Sequence, residues 1–296
     1  MSNYKAVIIG SGIAGMTAAI YLKRAGINTL IIESDVPGGQ LNKSSIIENY
    51  PGFEKIDGPS LALNIYNQVN ALKVDYLFSK VKKVDFKKKQ IVTEKEEVSY
   101  EYLIIATGRS PQKLGLENEE KLIGNGISYC ALCDGALYKD KRVVVIGRGN
   151  SALEEALYLA NISKRVILIN HKDLFKAEEK LINEVYENDN IEIIYNSNIV
   201  KFNSKDNKLT SVILDNKQEI KCDGLFVDIG YLPNSEIFNV EKVHGYIEVD
   251  EEYKTSRKNV YACGDIIYKN TYQLTTAVGE ATNVAASIIK SIEKRK

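Results

Sequence analysis

The chain is short of several things, and each shortage closes off a class of function. Its 296 residues carry no net charge, with Lys plus Arg and Asp plus Glu both at 39, so no overall field exists to gather nucleic acid or an anionic membrane. A small-molecule or protein substrate is expected instead. No apolar run approaches the roughly 20 residues a spanning helix requires, and Met1-Ser-Asn-Tyr-Lys5 leads into an apolar strand without a secretory core. The expected location is cytoplasmic. Four cysteines in a reducing compartment argue against a structural disulfide framework, which leaves Cys130-Ala-Leu-Cys133 as a redox pair or half of a metal site. A tetrahedral zinc needs four ligands, and the remaining candidates, Cys222, Cys263, His171 and His244, stand isolated in the sequence. The redox reading is the stronger. No low-complexity linker is present, and at 44% apolar residues the chain supports two α/β domains with sizeable cores.

What is present is one unit written twice. Residues 5–33 read as a strand, the glycine turn Gly10-Ser11-Gly12-Ile13-Ala14-Gly15, a helix from Met16 to Ala25 stopped by Gly26, and a strand ending on Glu33. Residues 142–170 read as a strand, the turn Gly147-Arg-Gly-Asn-Ser-Ala152, a helix to Asn161, and a strand ending on Asn170. Glu33 lies eighteen residues after Gly15, and Asn170 eighteen after Ala152. Both fit the roughly 30-residue βαβ module of a dinucleotide site. In the first unit the helix amides are available to a pyrophosphate and Glu33 to a ribose hydroxyl. In the second, Arg148 either salt-bridges a phosphate or fills its space, and Asn170 replaces the acid expected for NAD. His171, Lys172 and Lys176 then form either a 2′-phosphate contact or an exposed basic loop.

Gln90 to Ile105 alternates like antiparallel strands before Ala106-Thr107-Gly108. After the second unit, Ile191–Tyr195, Lys208–Leu214 and Gly224–Ile229 repeat the arrangement, ending at Gly230-Tyr-Leu-Pro-Asn234. Each insert predicts a small three-stranded sheet. Val260 to Asp265 reads as a strand and tight turn, and a helix over 275–292 closes the chain. Polar crossings near 112–125 and 234–239 predict that the middle domain is an insertion. The expected class is α/β, with two Rossmann-like, three-layer nucleotide-binding domains, each carrying a small antiparallel sheet. The first is discontinuous, 1–113 and 239–296; the second, 114–238, carries the dithiol. The CxxC belongs just before a strand; if it opens a helix, amides and dipole lower its thiol pKa. Asp134 either passes protons or caps. Cys222 and Cys263 read as small buried hydrophobes, His171 and His244 as surface residues, and Lys87-Lys-Lys89 as a solvated hairpin tip.

Taken in order, Gly10–Gly15, Gly38-Gly39-Gln40, Glu48-Asn49-Tyr-Pro-Gly52, Ala106–Gly108, Cys130–Gly135, Gly230–Asn234 and Gly264-Asp265 resemble the motif series of the low-molecular-weight thioredoxin reductases over nearly the whole chain. The resemblance implies a homodimer with FAD on the first fold and a pyridine-nucleotide-type domain carrying the dithiol. It also implies rotation between the domains that brings the dithiol alternately to flavin and to thioredoxin. Cys133 is then the flavin-proximal thiol, Cys130 the interchange thiol that attacks thioredoxin, and Asp134 the acid beside them. Gly10, Ser11, Gly12, Ile13, Ala14, Gly15 and Glu33 would hold the FAD pyrophosphate and ribose. Gly39, Gln40, Asn49, Ala106, Thr107, Gly108, Gly264, Asp265, Gln273 and Leu274 would line the rest of the cofactor, with Gln40, Asn49, Asp265 and Gln273 around the ribityl chain and ring.

Departures from the family pattern fall in the NADPH subsite. The family has Gly or Ser where Arg148 stands, and His-Arg-Arg with a further Arg where this chain has Asn170-His-Lys172 and Lys176. Arginine binds phosphate bidentately and lysine as a point charge, so the exchange weakens 2′-phosphate recognition. These departures resemble the ferredoxin-linked, pyridine-nucleotide-independent branch of the family. The expected function is therefore an oxidoreductase, a thioredoxin-disulfide reductase, passing electrons from reduced ferredoxin through FAD and the dithiol to thioredoxin. An ordinary NADPH-dependent reductase is the alternative, and a non-catalytic redox-responsive flavoprotein the second.

Overall fold

The computed structural model describes residues 2–44 and 47–294; residues 1, 45–46 and 295–296 of the expected first domain lie outside them. The first part of the chain forms β1 (Ser2–Ile9), α1 (Ile13–Arg24), β2 (Thr29–Glu33), α2 (Gly58–Ala71), β3 (Asp75–Phe78), β4 (Val81–Asp85), β5 (Gln90–Thr93), β6 (Glu97–Ile105) and β7 (Arg109–Pro111). The middle forms α3 (Glu119–Leu122), β8 (Ile127–Ser128), α4 (Ala131–Asp134), β9 (Arg142–Gly147), α5 (Asn150–Ala160), β10 (Arg165–Ile169), α6 (Glu179–Tyr186), β11 (Ile191–Ile194), β12 (Ile199–Lys205), β13 (Lys208–Leu214), β14 (Glu219–Lys221) and β15 (Gly224–Asp228). The last part forms β16 (Tyr231–Pro233), β17 (Lys242–Val243), β18 (Tyr246–Ile247), β19 (Val260–Ala262) and α7 (Leu274–Glu293).

Two compact units result, Met1–Ser110 with Leu232–Lys296 as unit 1 and Pro111–Tyr231 as unit 2. The crossings fall at 110/111 and 231/232, earlier than the 113/114 and 238/239 expected from polar composition. Composition marks a polar stretch, whereas the division follows the paired crossing strands β7 and β16.

In unit 1 the order β3-β2-β1-β6 is parallel, and β19 joins β6 on its other side. Side chains alternate across this sheet. Ala6, Ile8, Ile31, Tyr102 and Ile104 face α1 and α7, while Val7, Ile9, Leu30, Ile32, Leu103 and Ile105 face a layer holding Val84, Ile91 and Val98. The three layers are helices, parallel sheet and antiparallel strands, a Rossmann-like arrangement. The expected small three-stranded antiparallel sheet is β4-β5-β6, and it continues into the parallel sheet: β6 pairs antiparallel with β5 at its start and parallel with β1 along its length.

Unit 2 repeats the plan with a five-stranded parallel sheet, β11-β10-β9-β15-β8, and an antiparallel sheet β12-β13-β14. Val143, Val145, Val166 and Leu168 pack on α5 and α6; Val144, Ile146, Ile167 and Ile169 pack on Phe202, Leu209, Val212 and Leu214. Here the expectation is corrected. Ile191–Tyr195 and Gly224–Ile229 supply parallel-sheet strands, and the small sheet is completed by 199–205 and 219–221, whose exposed lysines and glutamates hide the period of a strand.

Candidate active site

The first glycine turn is shaped by contact rather than composition. Gly10 has φ +105°, a conformation L side chains rarely adopt, and a Cβ there would overlap Ala106 O. The turn delivers the chain to α1 with Gly12 at its N-cap; no side chain caps that helix, and the space where a Gly12 Cβ would stand is open. Free amides facing open space suit a pyrophosphate. The Glu33 carboxylate, at the end of β2, is fixed by three backbone amides: Ser11 N–H donates to Oε2 at 2.6 Å, and Ser34 and Asp35 N–H donate to Oε1 at 2.7 and 3.0 Å. It stands beside the turn, where a ribose would be met. Ser11 Oγ lies 3.2 Å from the hydroxyl of Tyr76, whose phenol burial pushes up to about 12.

The other residues expected around a cofactor also fall in unit 1. Gln40 Nε2 donates to Arg109 O at 2.9 Å, Asn49 Nδ2 to Gln273 Oε1 at 3.3 Å, and Thr107 Oγ1 to Asn234 O at 2.9 Å. Gly39 follows Gly38, whose N–H donates to Ser11 O at 2.8 Å. Ile13, Ala14 and Gly15 open α1 and Leu274 opens α7. Ala106 and Gly108 continue β6, and Gly264 and Asp265 follow β19.

Sequence reasoning missed the charged network here. Arg109 Nε sits 3.2 Å from Asp265 Oδ2 with its guanidinium 4.3 Å from the Tyr272 ring centroid. Lys269 Nζ bonds both oxygens of Glu280, at 2.9 and 3.0 Å, and lies 3.6 Å from Asp265. Glu280 also accepts from Gly264 N–H at 2.8 Å, and burial raises its pKa. The 265/269 spacing was the available signal; 109 and 280 are too distant in sequence to betray a contact.

In unit 2, Cys130 and Cys133 form a disulfide. Cys130 is the N-cap of α4, and its Sγ accepts from Cys133 N–H at 3.2 Å. The pair therefore opens a short helix and does not precede a strand as one reading had it; β9 begins only at Arg142. Ser128 Oγ accepts from Cys130 N–H at 3.1 Å and donates to Asp134 Oδ2 at 2.7 Å. Asp134 thus closes a loop of hydrogen bonds under the disulfide and caps no helix with its side chain.

At the second glycine turn Lys176 N–H donates to Arg148 O at 2.7 Å. Asn150, the first residue of α5, accepts from Glu178 N–H at 2.8 Å and donates to Glu178 Oε1 at 3.0 Å. Asn170 is fully buried, its Oδ1 taken by Lys172 N–H at 2.9 Å. His171 is exposed and held below its ordinary pKa by partial burial and then by the charges of Arg148 and Lys172. Cys222 and Cys263 are buried, and burial pushes the Cys222 thiol up to about 12. No group of three His, Cys, Asp or Glu among the described residues could hold a metal.

A family model described as pyridine nucleotide-disulphide oxidoreductase matches residues 4–281. Bacillus subtilis (strain 168) thioredoxin reductase is 36% identical over 301 residues, covering 98% of this chain and 95% of that protein. The chain belongs to the low-molecular-weight thioredoxin reductases. A crystal structure of Lactococcus lactis thioredoxin reductase is similar to this family member with TM-score 0.88 and 36% identity, covering 98% of this chain and 99% of that one. The structure of a ferredoxin-flavin thioredoxin reductase from Clostridium acetobutylicum is similar with TM-score 0.56 and 28% identity, over 99% of each chain. As a thioredoxin reductase family member the chain is a flavoprotein oxidoreductase acting on a disulfide, and no described helix is long and apolar enough to cross a membrane.

Proposed function

We propose that the protein is a flavin-dependent thioredoxin-disulfide reductase that takes electrons from reduced ferredoxin and hands them to thioredoxin through Cys130 and Cys133. FAD would lie on unit 1, where the open α1 terminus and the amide-fixed Glu33 suit a pyrophosphate and a ribose. It supplies the means to accept electrons singly from an iron-sulfur donor and deliver them as pairs to a disulfide. Gln40, Asn49, Asp265 and Gln273 would surround its ribityl chain and ring. The remaining work is done by the chain. The Cys133 N–H bonded to Cys130 Sγ stabilises that sulfur as it gains negative charge, which favours Cys130 as the attacking thiolate, and Asp134, held by Ser128, would exchange a proton beside Cys133. The dithiol must be reducing enough to serve thioredoxin, whose potential is about −270 mV. A cytoplasmic homodimer belongs to the same reading.

One observation carries the choice of donor: the start of α5, where a nicotinamide dinucleotide would place its pyrophosphate, is spanned by Glu178, whose carboxylate and amide are both bonded to Asn150. A carboxylate is already bonded to the side chain that opens this helix. The second reading, NADPH as donor, is favoured by Arg148 and Lys172, whose charges, after partial burial, hold the His171 pKa down and which together suit a 2′-phosphate. Excess NADPH added without oxygen separates the two. The flavin absorbance should persist with NADPH and bleach with reduced ferredoxin; rapid bleaching at micromolar NADPH would overturn the ferredoxin reading.

A further inference from the structure

Two carboxyl groups in unit 2 are buried without full use of their oxygens. Glu155 projects from α5, and its Oε1 accepts from the N–H of Ala131, the residue that follows Cys130, at 3.1 Å. Its Oε2 is shielded from solvent and finds no hydrogen-bond partner among the described residues, and the same holds for Oδ2 of Asp228, at the end of β15. A buried carboxylate oxygen left unpaired is costly when ionised. Such a group is retained more cheaply as a neutral acid.

We propose that Glu155 is a positioning residue of the redox pair, its carboxyl holding the first amide of α4 and its charge state setting the acidity of the Cys130 thiol. This rests on the reading of Cys130 and Cys133 as a working dithiol. Reduction breaks the Sγ–Sγ bond with two electrons from the reductant, and two protons complete the dithiol. With Glu155 neutral, a thiolate at Cys130 keeps the Cys133 N–H as a donor and meets no added charge from the residue that holds Ala131. With Glu155 ionised, it meets a like charge one residue away through Ala131. Thiolate and carboxylate therefore disfavour each other, and the pair titrates together. Burial first, then Asp228 and Glu154, push the Glu155 carboxyl up to about 7, which places the exchange at working pH.

The groups around Glu155 are accounted for element by element. Asp228 acts from β15 and Glu154 from its own helix; α4 brings Asp134, bonded to Ser128. From β9, β10, β11 and α6 the α5 side receives Val143, Val145, Val166, Leu168, Ile191 and Val185, all apolar. Nothing cationic among these offsets the acid.

The test uses holoenzyme carrying Cys133→Ser, which isolates the Cys130 thiol, and reads the pH dependence of its alkylation by iodoacetamide. Adding Glu155→Gln keeps an Oε1 acceptor for Ala131 and removes the charge. The midpoint should fall by about one pH unit, a tenfold rise in the thiolate fraction well below it. Glu154→Gln, exposed on the same helix, should leave the midpoint within a few tenths. An unchanged midpoint in Glu155→Gln overturns the proposal, because a carboxyl that only caps α4 is replaced by the amide without effect. Infrared difference spectra of the oxidised wild-type protein give a second readout. An un-ionised carboxyl stretch should persist at pH 6 and be lost with Glu155→Gln, and its absence there overturns the proposal too. Alkylation needs neither donor nor thioredoxin, so a protein inactive toward thioredoxin that still shows the shift would refute the function and leave this inference standing.

Discussion

The turn after β1 and the turn after β9 agree down to single hydrogen bonds. Gly38 N–H donates to Ser11 O at 2.8 Å in one, and Lys176 N–H to Arg148 O at 2.7 Å in the other. A Cβ on Gly10 would overlap Ala106 O, and one on Gly147 would overlap Asp228 O. Charge is where they part. Glu33, tied to three amides, ends the second strand of unit 1, and Asn170, tied to one, follows the corresponding strand of unit 2. Eight residues after the first glycine stand Ala18 in unit 1 and Glu155 in unit 2, and the strand opposite ends in Ala106 or Asp228. The shared backbone requires small residues at close approaches and little else. Ligand choice is carried by the side chains hung on it, so one βαβ frame can hold an anionic dinucleotide while its copy is fitted with acids that such a ligand would avoid.

That contrast is broken most severely by Gly10→Val, which imposes a β-branched side chain at positive φ against Ala106. FAD retention should be lost, with the purified protein colourless, while Cys130→Ser should leave the yellow colour intact and abolish thioredoxin reduction. Next is Glu33→Ala. It removes a charge-assisted acceptor worth about 1.5–3 kcal/mol, so FAD Kd should rise about 10- to 100-fold in an equilibrium titration of apoprotein; Asn170→Ala should leave that Kd unchanged. Giving unit 2 the unit 1 pattern, with Arg148→Ser, Asn170→Glu and Glu178→Gln combined, should speed anaerobic bleaching of the flavin by NADH about tenfold, as expected for removing roughly one charged obstacle.

The smallest effect expected is Asp228→Asn. Burial and then Glu154 push the Asp228 carboxyl up to about 6. A folded-state pKa above the unfolded value means that stability is fully present below the ordinary carboxylate pKa and is lost as pH rises through about 6. The amide variant should therefore gain about 1–3 kcal/mol at pH 8 and nothing at pH 4, measured by denaturant unfolding at both. Equal gains at the two pH values would place the effect in packing rather than charge.

Much of this contrast is legible in the sequence. Gly10–Gly15, Gly147–Ala152, Glu33 and Asn170 could be placed because short-range spacing dictates them, and β1, β2, β9 and β10 because buried parallel strands read as apolar runs. What stayed hidden lacked a local period. The four residues of α4 are too few to show one, so Cys130 as an N-cap was not decided. β12 and β14 expose charged side chains that resemble loop. Glu155 is the second of two adjacent glutamates and Asp228 a lone acid in Phe-Val-Asp-Ile, and no local pattern marks either as buried. Their burial is a property of the layers above and below them. The Arg109–Asp265 and Lys269–Glu280 pairs were out of reach for the same reason: Arg109 and Asp265 belong to separate chain segments joined only by the fold.

The most direct test of the relay is rapid mixing of oxidised thioredoxin with holoprotein whose flavin has been bleached anaerobically by reduced ferredoxin. Flavin absorbance should return in the wild type and stay bleached in Cys130→Ser. Equal recovery in the two proteins, or a wild-type protein with no flavin absorbance to follow, would contradict the account.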